Sequence, residues 1–82
     1  MNLGVLPCLS PKAKSIAIGS LYENFKGLRY KILGIARHSE TLEELVVYQA
    51  QYGEGNIWVR PLNMFLESIL INDQAHPRFK LI

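Results

Sequence analysis

Apolar and polar residues alternate on both sides of Gly53-Glu54-Gly55-Asn56, and this pattern constrains the fold more than any other feature of the chain. Leu45-Val46-Val47-Tyr48 is dense in β-branched and aromatic residues, which suit a pleated, half-buried surface. Ile57-Trp58-Val59-Arg60 follows the glycines, and a glycine-rich tetrapeptide between two such runs signals a hairpin. A four-residue loop pairs Tyr52 with Ile57, Gln51 with Trp58, Ala50 with Val59 and Gln49 with Arg60. In that register Val46, Tyr48, Ala50, Tyr52, Ile57 and Val59 share one apolar face. Gln49, Gln51, Trp58 and Arg60 share the other. Strand side chains have period two, so a slip by one residue sets glutamine against valine. Thr41-Leu42-Glu43-Glu44 also fits a capping box, which allows one helical turn at most before a strand over residues 44–52.

The remaining elements fall into place around that hairpin. Residues 15–24 read as a first strand with Gly19 as a bend or bulge inside it. Lys26-Gly27 supplies the turn into a second strand over residues 28–37. There Tyr30, Ile32, Gly34 and Ala36 share one face, and Leu33 and Ile35 the other. A long strand that changes its inward face near a glycine is how small barrels turn corners. The cations Lys26, Arg29, Lys31 and Arg37 precede the anions Glu40, Glu43, Glu44 and Glu54. Antiparallel pairing brings the two sets together, worth roughly 0.2–1 kcal/mol per pair. Pro61 cannot donate to a sheet and ends its strand. Leu62-Asn63-Met64-Phe65 suits one tight helical turn, and residues 66–71 a last strand before a turn at Asn72-Asp73. His76-Pro77-Arg78-Phe79-Lys80 is a short basic end with one aromatic anchor. This order is that of an all-β, small SH3-like β-barrel of about five antiparallel strands with one short 3-10 turn. Residues 1–18, punctuated by Pro7, Ser10 and Pro11, are expected to be an N-terminal tail, and residues 19–82 the barrel domain.

A chain of 82 residues buries only about 60–70% of the surface it exposes when unfolded. A surface groove or a subunit interface is therefore expected rather than a deep enclosed site. A net charge of +2 does not by itself argue for nucleic acid, because phosphate binding needs a clustered basic patch. Cys8 is the single cysteine, which excludes an internal disulfide and suits a reducing cytoplasm. The first ten residues lack the charged start and apolar run of a secretory signal. No segment approaches the ~18 apolar residues of a membrane span, so a soluble, cytoplasmic protein with no membrane partner is expected. His38, His76 and Cys8 have no metal-ligand spacing. Gly53-x-Gly55 is a hairpin turn rather than a strand-to-helix phosphate loop. No metal or cofactor is expected.

Two candidate sites stand out. Arg37-His38-Ser39-Glu40 contains the residue types of nucleophilic hydrolysis, in which a serine needs a base within hydrogen-bond reach and a third group orienting that base. Neighbouring residues of one loop point in alternating directions, however, and local backbone hydrogen bonding is the plainer role for Ser39 or Thr41. Trp58 beside Arg60, Gln49 and Gln51, with Arg37 and His38 at the loop's edge, makes an aromatic-basic surface able to stack a base or an aromatic side chain. Against that stands a cover for the barrel's end. Tyr22 and Tyr30 near Lys26 and Arg29 form a lesser candidate, against ordinary barrel packing. These residues favour a non-enzymatic binding module whose partner is a nucleotide, a nucleic acid or a protein, a second copy included. The alternative is a small hydrolase or an accessory domain of a nucleotide-processing enzyme, using the Arg37–Glu40 loop.

Residues 36–49, ARHSETLEELVVYQ, together with Trp58-Val59-Arg60-Pro61-Leu62 and Met64-Phe65-Leu66-Glu67, resemble a small bacterial family. It is catalogued as domain of unknown function sixteen fifty-three. Tyr22, Phe25, Lys26, Gly27 and Tyr30 match its opening element, and Pro77, Arg78 and Phe79 its close. The resemblance covers residues 19 to 80. Asn24 stands where the pattern has a histidine and Asn63 where it has an acid. The resemblance implies no established activity. Its members' occasional fusion to nucleotide-hydrolysing domains implies, by analogy, work near nucleotides or nucleic acid.

Overall fold

The computed structural model describes residues 8–82; the first seven residues of the expected tail lie outside them. The chain runs α1 (Pro11–Lys14), β1 (Leu21–Asn24), β2 (Arg29–Arg37), β3 (Glu44–Ala50), β4 (Ile57–Pro61), α2 (Leu62–Phe65), β5 (Ser68–Ile71), β6 (Gln74–Pro77) and β7 (Phe79–Leu81). It is mostly β, with seven strands in two antiparallel sheets. Five strands form one sheet in the order β4-β3-β2-β1-β7, and β5 and β6 form the other.

The expected barrel is not closed. β4 and β7 are the two edges of the five-stranded sheet, and they do not pair. The strand expected over residues 66–71 is β5, and the turn expected at Asn72-Asp73 follows it, but the chain then returns as a further strand, β6, that pairs with β5 alone. Ile71 pairs with Gln74 across Asn72-Asp73, and both turn residues have positive φ, 52° and 63°, as a two-residue hairpin turn requires. The β5–β6 hairpin thus bridges neither edge. The short helical turn expected at Leu62-Asn63-Met64-Phe65 is α2, one turn of α-helix.

The β3–β4 hairpin exists, but its register differs from the expected one by three residues. Gln49 rather than Tyr52 pairs with Ile57, Tyr48 with Trp58, and Val46 with Arg60. The strand stops at Ala50, whose N–H donates to Asn56 O at 2.9 Å. Tyr52 turns away to pack edge-on against Tyr30, with ring centroids 5.6 Å apart. Gln49 Nε2 ties the loop together by donating to Gly55 O at 3.0 Å. A shift by an odd number reverses the faces of β4. Trp58 and Arg60 therefore join the side of Tyr48 and Val46, while Ile57 and Val59 point outward.

β2 changes its inward face as its glycine suggested. Tyr30 and Ile32 face the core. The register then shifts between Ile32 and Gly34, so Ile35 rather than Gly34 pairs with the buried Val46. Residues 15–20, expected as the start of strand one, are a connection instead. Before it, Ser10 caps α1 by accepting from Ala13 N at 3.1 Å, and Pro11 opens the helix, where its missing N–H costs nothing. Ser10 is held in turn by Glu44, whose carboxylate accepts from its N–H and its hydroxyl, both at 2.6 Å. Ala13 and Ile16 are consequently buried in the core with Ile32, Val46, Tyr48, Leu62 and Phe65. Phe79 of β7 stacks flat on Phe65 at 4.3 Å, which fastens the end of the chain to α2.

Candidate functional site

The core face of the sheet continues past the helices toward the β1–β2 turn and the β3–β4 loop. There it opens as a cleft of about 400 Å³. The β1–β2 turn is shaped by Asn24, whose Oδ1 accepts from Lys26 N at 3.0 Å and Leu28 N at 2.9 Å. Gly27 completes it at φ +87°, a left-handed conformation that glycine adopts without penalty. This geometry carries Phe25 and Lys26 to the cleft's edge, with Lys26 Nζ 5.7 Å from the Phe25 ring centre.

Tyr30, Tyr48 and Phe79 form the floor, packed edge-to-face with centroids 5.3–5.7 Å apart. The Tyr30 and Tyr52 hydroxyls share a hydrogen bond of 2.7 Å, and Asn24 Nδ2 donates to Tyr30 Oη at 3.4 Å. Burial, then the hydrogen bond and the nearby Tyr52 and Tyr48 hydroxyls, push the Tyr30 phenol up to about 12, with Arg60 pulling the other way. Tyr30 is thus a neutral hydrogen-bonding group at any physiological pH and not a base. Across the cleft Trp58 is 50% exposed. Arg60 is half-buried beside it, donating from Nε to Tyr48 Oη at 3.3 Å with its guanidinium 5.8 Å over the Phe79 ring. Arg78 also lines the cleft, anchored on Glu67 Oε1 by Nη2 at 2.8 Å and Nε at 2.9 Å. Lys26 and Arg60 form no ion pair among the described residues, and no acidic residue lines the cleft.

Of the residues of the two leading candidate sites, Trp58 and Arg60 lie in this cleft and the others do not line it. Gln49 braces the β3–β4 loop, and Gln51 lines an adjoining depression with Arg29. Arg37, His38, Ser39 and Glu40 sit at the opposite end of the β2–β3 pair. Arg37 donates to Leu42 O at 3.0 Å and Cys8 O at 3.3 Å. His38 Nδ1 accepts from Glu40 N at 3.1 Å and Thr41 N at 3.3 Å, while Thr41 Oγ1 accepts from Glu43 N at 3.2 Å. Ser39 and Glu40 are exposed. No hydrogen bond links Ser39 to His38 among the described residues. The lesser tyrosine candidate divides: Tyr30 and Lys26 join the cleft, Tyr22 packs on Phe65 at 5.3 Å, and Arg29 pairs with Glu23 at 3.3 Å.

Tyr48, Tyr52, Phe25 and Arg78 were not legible as cleft residues. Only the true β3–β4 register and the return of β7 beside β1 bring them together. Some of the residues on which the family resemblance rests converge here, namely Phe25, Lys26 and Tyr30 from the β1–β2 hairpin, Tyr48, Trp58 and Arg60 from the β3–β4 hairpin, and Arg78 and Phe79 from the end of the chain, whereas residues 36–47 of its longest motif do not line the cleft.

Among the described residues no group of three or more His, Cys, Asp or Glu could hold a metal ion. No helix among them is long and apolar enough to cross a membrane. No curated protein matches the chain. A crystal structure of a protein belonging to DUF1653 from Bordetella bronchiseptica is similar, with 30% identity, a TM-score of 0.75, and coverage of 85% of this chain and 91% of that one. The family described as "Protein of unknown function (DUF1653)" matches residues 20–81, and the chain therefore belongs to the DUF1653 family.

Proposed function

We propose that this protein is a binding module whose cleft receives a planar, negatively charged group. The observation that carries this reading is the lining itself: exposed Trp58, Tyr52 and Phe25 beside Lys26, Arg60 and Arg78, with no carboxylate among them. Aromatic faces alone also suit a quaternary ammonium ion. Lys26 and Arg60, the cations of these walls that form no ion pair among the described residues, repel such a ligand and attract an anion, while the charge of Arg78 is offset by Glu67. A planar group stacking on Trp58 while its charge meets Arg60 or Lys26 uses both features.

The hydrolase alternative draws less support. His38 Nδ1 already accepts two loop N–H groups, Thr41 takes the plain backbone role weighed for it, and no hydrogen bond joins Ser39 to His38 among the described residues. His38→Ala is expected to leave ligand binding unchanged.

Trp58 is the single tryptophan, so its fluorescence reports on the cleft directly. Titration with adenosine monophosphate is expected to quench it saturably, and Lys26→Ala to weaken the effect. Fluorescence unchanged at millimolar nucleotide, with the protein folded, overturns the proposal.

A further inference from the structure

We infer that the cleft is the central part of a track for single-stranded nucleic acid, several nucleotides of which lie across the β1–β2 turn. This rests on the binding reading of the cleft and extends it from one planar anionic group to a polymer. The cleft does not stand alone. Leu28 and Tyr52 form its wall on one side and also line a second depression of about 420 Å³, together with Arg29 and Gln51. Asn24 and Phe25 form its wall on another side and also line a third of about 300 Å³, with His76, Pro77 and Lys80. Three depressions thus adjoin one another around a single turn.

Each wall between neighbours carries an exposed aromatic ring, Tyr52 at one and Phe25 at the other, with exposed Trp58 in the middle depression. Lys26 and Arg60 in the middle depression and Lys80 in the third form no ion pair among the described residues, while Arg29 in the second is paired with Glu23 and Arg78 in the middle one with Glu67. Glu23 is the one acid lining any of them, and Arg29 neutralises it at 3.3 Å. Rings and cations repeating along a groove match a chain of bases joined by phosphates. A duplex hides its base faces in its own stack, so recognition by stacking selects unpaired strands. An acidic peptide would satisfy the cations but has no flat group to place on each ring in succession.

The test is to titrate Trp58 fluorescence with thymidine monophosphate, a trithymidylate, a hexathymidylate, a duplex of the same length and a glutamate hexapeptide. Affinity is expected to rise at least about tenfold from the monophosphate to the hexanucleotide, since added stacked bases and neutralised phosphates both contribute. Its logarithm should fall with the logarithm of salt concentration by about 0.7 for each phosphate neutralised. Lys26→Ala and Lys80→Ala, both at exposed positions, should each reduce that slope without altering the urea midpoint. A hexanucleotide that binds no tighter than the monophosphate overturns the track but leaves the single-group cleft standing. Binding of the duplex or the hexapeptide as tightly as the hexanucleotide overturns the track as well. Binding of none of the probes overturns both readings.

Discussion

Glu44 fastens α1 to the sheet through one carboxylate, and this gives it a pH signature. The Ser10 hydroxyl, then the Ser10 N–H, hold its pKa below the ordinary 4.5, assisted by Arg37 and opposed by burial. A carboxyl with a lowered pKa in the folded state adds stability above its unfolded value and loses it as pH falls through the folded one. The urea midpoint of the native protein should therefore drop below pH 4.5 more steeply than that of Glu44→Gln, a comparison that equilibrium unfolding across acid pH makes directly. Tyr30 has the opposite sign. Its phenol is raised to about 12 from 10.0, so the stability it contributes is intact below pH 10 and lost as pH climbs through 12. Tyr30→Phe should flatten that alkaline loss. Neither environment was legible in the sequence: Glu44 reads as the first residue of a strand and one of four anions facing the basic strand, and its partner Ser10 lies 34 residues away.

At the scale of elements, local chemistry was legible and partnership was not. Gly27, Gly53-Glu54-Gly55 and Asn72-Asp73 are turns as their residue types dictate. The Gly27 conformation costs a residue with a Cβ ~1–2 kcal/mol, so Gly27→Ala should destabilise by about that amount and displace Phe25 and Lys26 from the cleft. Thermal unfolding with Trp58 fluorescence as a second readout measures both. The β3–β4 pairing escaped the pattern because Tyr52 leaves the strand to pack and hydrogen-bond with Tyr30, a partner 22 residues away. Trp58 and Arg60 were thus identified as a pair but placed on the wrong face. The β5–β6 hairpin has no third strand, and Leu70 is 76% exposed. Two-stranded hairpins are marginal on their own, and amides there should exchange faster than those of β2 and β3.

For the whole molecule, the mostly-β class follows from alternation, but an open or closed sheet depends on where the last strands go. Ile71 and Gln74 pair locally, and β7 lies beside β1 because Phe79 stacks on Phe65. Nothing in a window of ten residues encodes that choice. The same long-range packing draws Ala13 and Ile16 into the core from a stretch that reads as a tail. Phe65 is fully buried between Tyr22, Tyr48 and Phe79, and Phe65→Ala should cost ~3–5 kcal/mol while releasing β7. Because Phe79 floors the cleft, binding should fail with it.

The central claim is that the Trp58 cleft is where the protein meets its ligand. Trp58→Ala, with the urea midpoint followed by circular dichroism and the affinity by anisotropy of a fluorescently labelled hexathymidylate for variant and native protein alike, tests it most directly. A half-exposed ring used for stacking should weaken binding by about tenfold or more while the midpoint hardly moves. A midpoint lowered as for a core residue, about 3–5 kcal/mol, with affinity retained by the folded fraction, would contradict the account and make Trp58 a structural cover.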